Sequence, residues 1–142
     1  MVTVTKPDLG RVDVANAIGI GGVFFKCGDK KGLGAWYAEH LGLEIDDYGS
    51  VGFDVSRLPR TAFCVWGPFE DSTTYFDPSN RPFMINLVVD DLDGALEQVE
   101  QGGAEVVGEI EEYDFGRFGW FIDPAGTKIE LWQPPAAEPD GA

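Results

Sequence analysis

The stretch Phe115–Pro134, FGRFGWFIDPAGTKIELWQP, decides how this chain is read. It is an aromatic strand, a turn, and a second strand whose alternate residues sort by polarity. Asp123-Pro124-Ala125-Gly126 is turn chemistry: proline pre-sets φ at the second position and glycine relieves strain near the end. Beyond the turn, Lys128, Glu130 and Trp132 share one face and Ile129 and Leu131 the other. A carboxylate opposite an Ile/Leu face is either a solvated edge residue or part of a lined cavity, and the rest of the chain favours the cavity.

Working outward, 142 residues predict one compact unit, large enough to bury a core. With hydrophobic residues at 44%, disorder is excluded for the body of the chain. A formal charge of −15 repels phosphate backbones and anionic lipid, which argues against nucleic acid and membrane partners. No stretch is long enough to span a bilayer and no secretory signal is evident, so a cytoplasmic location is expected. Cys27 and Cys64 have no metal or redox spacing and are expected to be small buried side chains. The single histidine, His40, rules out any site that needs two imidazoles from one chain.

Two segments share one plan. In the first, an apolar strand at Ile18–Lys26 precedes a helix capped by Asp29. Leu33, Trp36, Tyr37 and Leu41 stripe that helix and Gly42 ends it, before strands near Leu43–Tyr48, Val51–Val55 and Thr61–Trp66. In the second, a strand at Phe83–Val89 leads to a helix capped by Asp90 or Asp91 and stopped by Gly102-Gly103. Strands follow near Glu105–Glu112, Gly116–Ile122 and Lys128–Trp132. The expected class is therefore α+β, with two tandem βαβββ modules at about 18–67 and 83–134. A proline-bearing linker joins them at roughly 67–82, residues 1–17 form an arm, and residues 135–142 form a flexible tail. Each helix would cover one face of a curled sheet, and the two free faces would enclose a cup-shaped cleft.

These residues resemble the vicinal oxygen chelate superfamily, which contains glyoxalase, extradiol dioxygenases, fosfomycin-resistance enzymes and bleomycin-binding proteins. The likeness rests on Trp36-Tyr37 with His40-Leu41-Gly42-Leu43 in the first half. In the second it rests on Asn86–Asp93, Phe118–Pro124 and Lys128–Trp132. It covers about Ile18–Pro134 and implies paired βαβββ modules around a cup, commonly in dimers. Metalloenzymes of the superfamily place His or Glu on the first strand of each module and Glu on the last. Here the corresponding positions hold Gly22 and Met84, the fourth-strand position falls near Cys64 or Trp66, and only Glu130 remains as a good ligand. One carboxylate is a poor site for a catalytic divalent ion, so no metal or other cofactor is expected.

Strand parity then nominates the lining of the cleft: Phe24, Trp66, Met84, Asn86, Phe118, Trp120, Glu130 and Trp132, with Gly22, Cys64 and Lys128 on the same faces. Aromatic walls with a few polar groups suit a small organic molecule. The bland alternative is that the tryptophans fill space between sheets, that Asn86 serves a backbone group, and that Lys128 or Arg117 pairs with Glu130. Two functions follow. One is a glyoxalase-like homodimer that binds an aromatic or amphipathic molecule without metal, by sequestration as in resistance proteins. The other is a lyase, isomerase or dioxygenase of the same family, metal-free with Glu130 as catalytic acid/base or with a non-standard metal site.

Overall fold

The computed structural model describes residues 14–137. Helix α1 spans Lys30–Leu41, and Val55–Arg57 makes a single 3-10 turn. The rest of the regular structure lies in the C-terminal half: β1 (Met84–Val88), α2 (Leu92–Gln101), β2 (Glu105–Tyr113), β3 (Gly116–Ile122) and β4 (Lys128–Gln133). The four strands form one open mixed sheet in the order β1-β4-β3-β2. β1 runs parallel to β4, and β3 is antiparallel to both β4 and β2. This is one βαβββ unit in an α+β fold, and its bounds follow the sequence expectation closely.

Local chemistry explains why this half forms. The Asp91 side chain accepts from the Gly94 N–H, and the Gly102 N–H closes the last turn of α2 on Gln98 and Glu100. Between β3 and β4, the Gly126 N–H bonds to the Asp123 carbonyl while Asp123 Oδ1 accepts from the Ala125 and Thr127 N–H groups at 2.9 and 3.0 Å. Gly126 sits at φ +82°, a left-handed conformation that a side chain would strain. The turn sets the register, and with it the faces. Ile129 and Leu131 lie inward with Phe121, under Leu92, Ala95 and Val99 of α2.

α1 packs beside α2 on the same side of the sheet, contributing Leu33 and Tyr37 to the core. Asp29 caps it through the Gly32 N–H, and Gly42 ends it at φ +68°. Three long-range hydrogen bonds dock it: Tyr37 Oη donates to Asp123 Oδ2 (2.8 Å), Trp36 Nε1 to the Gly102 carbonyl (2.9 Å), and Gln98 Nε2 to the His40 carbonyl (2.8 Å). Burial, helped by the charge and hydrogen bond of Asp123, pushes the Tyr37 phenol well above its ordinary pKa, so it stays a donor. Trp36 and Tyr37 are helix core, as their spacing implies.

The strands expected at 18–26, 43–48, 51–55 and 61–66 do not form, and the chain there is irregular apart from the 3-10 turn. A strand is stable only as part of a ladder, and among the described residues these segments join no sheet. Their apolar side chains stand in solvent: Ile18 is 92% exposed, Phe24 94% and Trp66 80%. Contrary to the sequence expectation, Cys64 is exposed while Cys27 is half-buried against the core; both are free thiols. The expected arm falls mostly at residues 1–13, and the expected tail includes 138–142; those residues lie outside the described ones.

Candidate functional site

The face of the sheet opposite the helices carries the candidate site. The register aligns Asn86, Glu130 and Trp120 as direct neighbours across β1, β4 and β3. Glu130 is therefore flanked by two donors on its own sheet. Asn86 Nδ2 donates to Oε1 at 2.7 Å, and Trp120 Nε1 donates to Oε2 at 2.9 Å. The rows on either side place Met84 beside Lys128, and Trp132 beside Phe118. The Phe118 and Trp132 rings lie parallel, with centroids 6.0 Å apart and planes 4° from each other. Six of the eight predicted lining residues, those from the C-terminal half, thus share one face.

Phe24 and Trp66 are exposed and do not reach that face in this chain. Residues of opposite parity make aromatic contacts, of which that of Phe63 is on this face and that of Phe25 is not. Phe63 meets Trp132 edge-on at 5.1 Å, and Phe25 lies 6.3 Å from Phe83. A shift of one residue turns every side chain of an extended segment over, so alternation without a ladder does not fix the facing.

A third donor to Glu130 comes from outside the sheet. Tyr75, in the linker, donates its phenol hydroxyl to Glu130 Oε2 at 2.7 Å. Its ring meets Trp120 edge-on at 6.4 Å and lies 5.0 Å from the Lys128 ammonium, which donates to the Tyr75 carbonyl at 2.6 Å. Phe69 and Phe76 pack around it, with Phe69 5.6 Å from Tyr75 and 5.1 Å from Phe76. The base of this strap is tied down by Ser79, which donates to the Gly126 carbonyl, and by Arg81, which donates to Thr127 Oγ1 at 3.1 Å. Sequence reading missed Tyr75 altogether. The only hint was an aromatic pair, Tyr75-Phe76, in a segment otherwise marked as a proline-bearing linker.

The electrostatics follow from these contacts. Burial raises the Tyr75 phenol above its ordinary pKa, and the hydrogen bond to Glu130 and the carboxylate charge push the same way, so the O–H is retained. Burial lowers the Lys128 ammonium, opposed by the nearby charges of Glu130 and Asp77. Arg117 does not pair with Glu130. It bridges Asp93 and Glu112, each at 2.9 Å, on the helix side of the sheet. His40 lies in the last turn of α1 beside Trp36, at 5.1 Å between rings, away from this face.

A divalent ion does not fit these donors. The oxygens of Glu130 face three N–H and O–H donors, Met84 offers only a soft thioether, and Gly22 has no side chain. No group of three His, Cys, Asp or Glu side chains suited to a metal occurs among the described residues. No described helix is long and apolar enough to cross a membrane. Hollows of about 390 Å³ (at Pro78, Arg81, Glu105 and Ile122) and about 410 Å³ (at Val55, Pro59 and Phe63) open elsewhere on the surface; neither touches Glu130.

Against known proteins, a family profile described as a glyoxalase-like domain matches residues 22–132. Among curated proteins none matches. Two solved structures are similar over part of their length. One is TnmS3, an antibiotic binding protein from Streptomyces sp. CB03234, at 31% identity over 37% of this chain and 44% of that chain, with a TM-score of 0.33. The other is a member of the glyoxalase/bleomycin resistance protein/dioxygenase superfamily from Sphaerobacter thermophilus DSM 20745. It is 28% identical over 34% of this chain and 40% of that chain, with a TM-score of 0.32. In both matches the chain spans less than half of the other structure's length, and the likeness is local.

Proposed function

This chain belongs to the glyoxalase-like domain family, and from that premise we propose that it binds a small aromatic or amphipathic organic molecule on the Glu130 face without a metal. The role is sequestration rather than turnover. One observation carries the reading: the Glu130 carboxylate, set between Asn86 and Trp120 on an aromatic face, is held by three neutral donors, from Tyr75, Asn86 and Trp120. A carboxylate so engaged is an orienting acceptor. A general base needs a lone pair aimed at a substrate proton, and these donors compete for it. The acid/base alternative is therefore the weaker of the two.

Met84, Asn86, Phe118, Trp120, Glu130 and Trp132 form the ligand-binding wall in this proposal. Phe24 and Trp66 join it when a second copy covers the exposed first half, so the working state is a homodimer. In that state residues 18–134 act as one glyoxalase-like domain, and the segments at 18–26 and 61–66 gain the ladder partners that complete the second module and the cup. Support comes from the exposed apolar side chains of that half, Ile18, Phe24 and Trp66 among them, which offer apolar surface for a second copy to cover.

The test is binding of a panel of neutral aromatic compounds to chelator-dialysed protein, read by tryptophan fluorescence, with chemical analysis of the recovered compound. Saturable binding with the compound returned unchanged is expected. Conversion to product, or binding only after metal is restored, sinks the proposal. Glu130→Gln separates the alternatives: a binder loses affinity with the acceptor oxygen but still returns its compound unchanged, whereas an acid/base enzyme loses turnover by roughly 10²- to 10⁴-fold. Sedimentation at two protein concentrations tests the dimer, which fails if the mass stays that of one chain.

A further inference from the structure

The strap residue Tyr75 occupies the Glu130 face in a way that describes its intended occupant. It presents a flat ring to Trp120, a hydroxyl to Glu130 Oε2 at 2.7 Å, and the π-face of the ring to the Lys128 ammonium at 5.0 Å. Trp120 and Lys128 are themselves buried, at 6% and 8% exposure, whereas Tyr75 is 40% exposed. The receiving side is thus built into the sheet, and the occupant is carried by a segment whose ordered anchors, Ser79 and Arg81, lie beyond it in the chain.

Resting on the binding function proposed above, we propose that the ligand is an un-ionised aromatic alcohol, a phenol or larger hydroxylated ring system, and that it binds by displacing Tyr75. The ligand hydroxyl takes over the hydrogen bond to Glu130, its ring takes the place of the tyrosine ring against Trp120, and Lys128 exchanges one π-face for another. Asn86 and Trp120 hold Glu130 in place throughout, because their hydrogen bonds are set by the register of the sheet. Glu130 keeps all three of its donors in the exchange, while the displaced Tyr75 hydroxyl and the Lys128 bond to the Tyr75 carbonyl go over to water.

Self-occupancy has a measurable consequence. The apparent affinity of a ligand is reduced by the fraction of molecules whose site is open, so removing the occupant strengthens binding. The probes are 2-naphthol and its methyl ether, 2-methoxynaphthalene, titrated at neutral pH against full-length protein, Tyr75→Ala and Tyr75→Phe. Tyr75→Phe keeps the ring packed on Trp120 and removes only the hydroxyl, which guards against a folding defect in the alanine variant. The expected result is 2-naphthol binding about tenfold tighter to Tyr75→Ala than to wild type, with Tyr75→Phe between them. The methyl ether, unable to donate, should bind Tyr75→Ala about tenfold more weakly than 2-naphthol.

Equal affinity of naphthol and its ether in all three proteins overturns the aromatic-alcohol inference while leaving aromatic binding intact. Unchanged naphthol affinity on removing Tyr75 overturns the displacement. If neither compound binds any of the three proteins, the inference fails, and the panel of neutral aromatics then decides separately whether the binding function fails with it.

Discussion

Residues 84–133 and residues 18–66 begin with the same devices: an apolar segment, an Asp-capped helix, a glycine at its end and further apolar segments. In the C-terminal half all of them become regular structure, with four strands in one sheet and Leu92, Val99, Phe121 and Leu131 fully buried between that sheet and α2. In the N-terminal half, among the described residues, only α1 and a single 3-10 turn form. The difference separates two kinds of local instruction. A helix satisfies its backbone within itself, so Asp29 and Gly42 suffice to start and stop α1, and two buried side chains dock it. A strand satisfies its backbone on a neighbour, and no amount of β-favouring composition at Ile18–Lys26 replaces a missing edge. The N-terminal segments are complete as sequence and incomplete as structure.

That contrast can be broken most sharply at the core. Phe121→Ala should cost about 3–5 kcal/mol, since the ring is fully buried between the sheet and the two helices. Phe24→Ala, at 94% exposure, should change the stability of an isolated chain by less than about 0.5 kcal/mol. Urea denaturation of the two variants measures both. A large, protein-concentration-dependent effect of Phe24→Ala would mean that a second copy covers this half and that the asymmetry belongs to the lone chain.

The attachment of α1 to the C-terminal module sharpens the comparison further. Tyr37→Phe removes the buried donor to Asp123 and should cost about 1–3 kcal/mol. It should also change the alkaline limb of stability. Tyr37 and Tyr75 both hold their protons more tightly folded than unfolded, so their contribution is complete below the ordinary tyrosine value of 10.0. Above it the unfolded chain releases protons that the fold retains, and stability falls as pH rises. Urea midpoints between pH 9 and pH 11 should decline for wild type and decline less for Tyr37→Phe. Identical slopes would mean that Tyr37 is not buried beside Asp123 in solution.

The smallest expected effects test whether the two helices start by the same means. Asp29→Ala and Asp91→Ala each remove one side-chain acceptor from a first-turn N–H and should each cost about 1 kcal/mol. Equal losses in thermal unfolding would show that capping acts locally in both halves. A markedly larger loss at Asp91 would show that α2 draws on the sheet beneath it even for its start.

Much of the C-terminal half was legible because its signals are short-range. The Asp123–Gly126 turn fixes where β3 ends and β4 begins, and period-2 alternation from Lys128 then puts Glu130 and Trp132 on one face and Ile129 and Leu131 on the other. The neighbours Met84, Asn86, Phe118 and Trp120 follow from the same parity, once the strands pair in register. Parity failed at 61–66, where no ladder holds the phase: Phe63 rather than Trp66 meets Trp132. The alternatives raised for Glu130 were also resolved by distance rather than type. Arg117 turns to Asp93 and Glu112, and Lys128 turns to the Tyr75 carbonyl.

The amino-acid sequence by itself determined both capped helices, the turn, the β3–β4 faces and the carboxylate at the centre of the aromatic wall. Each of these depends on residues a few positions apart. Only the tertiary structure decided that Tyr75, 55 positions before Glu130, reaches back to donate to it, that α1 shares the helix side of the sheet with α2, and that the first-half segments are left without partners. Those outcomes depend on the path of irregular chain through space and on which backbone edges are free, and neither is encoded in the spacing of neighbouring residues.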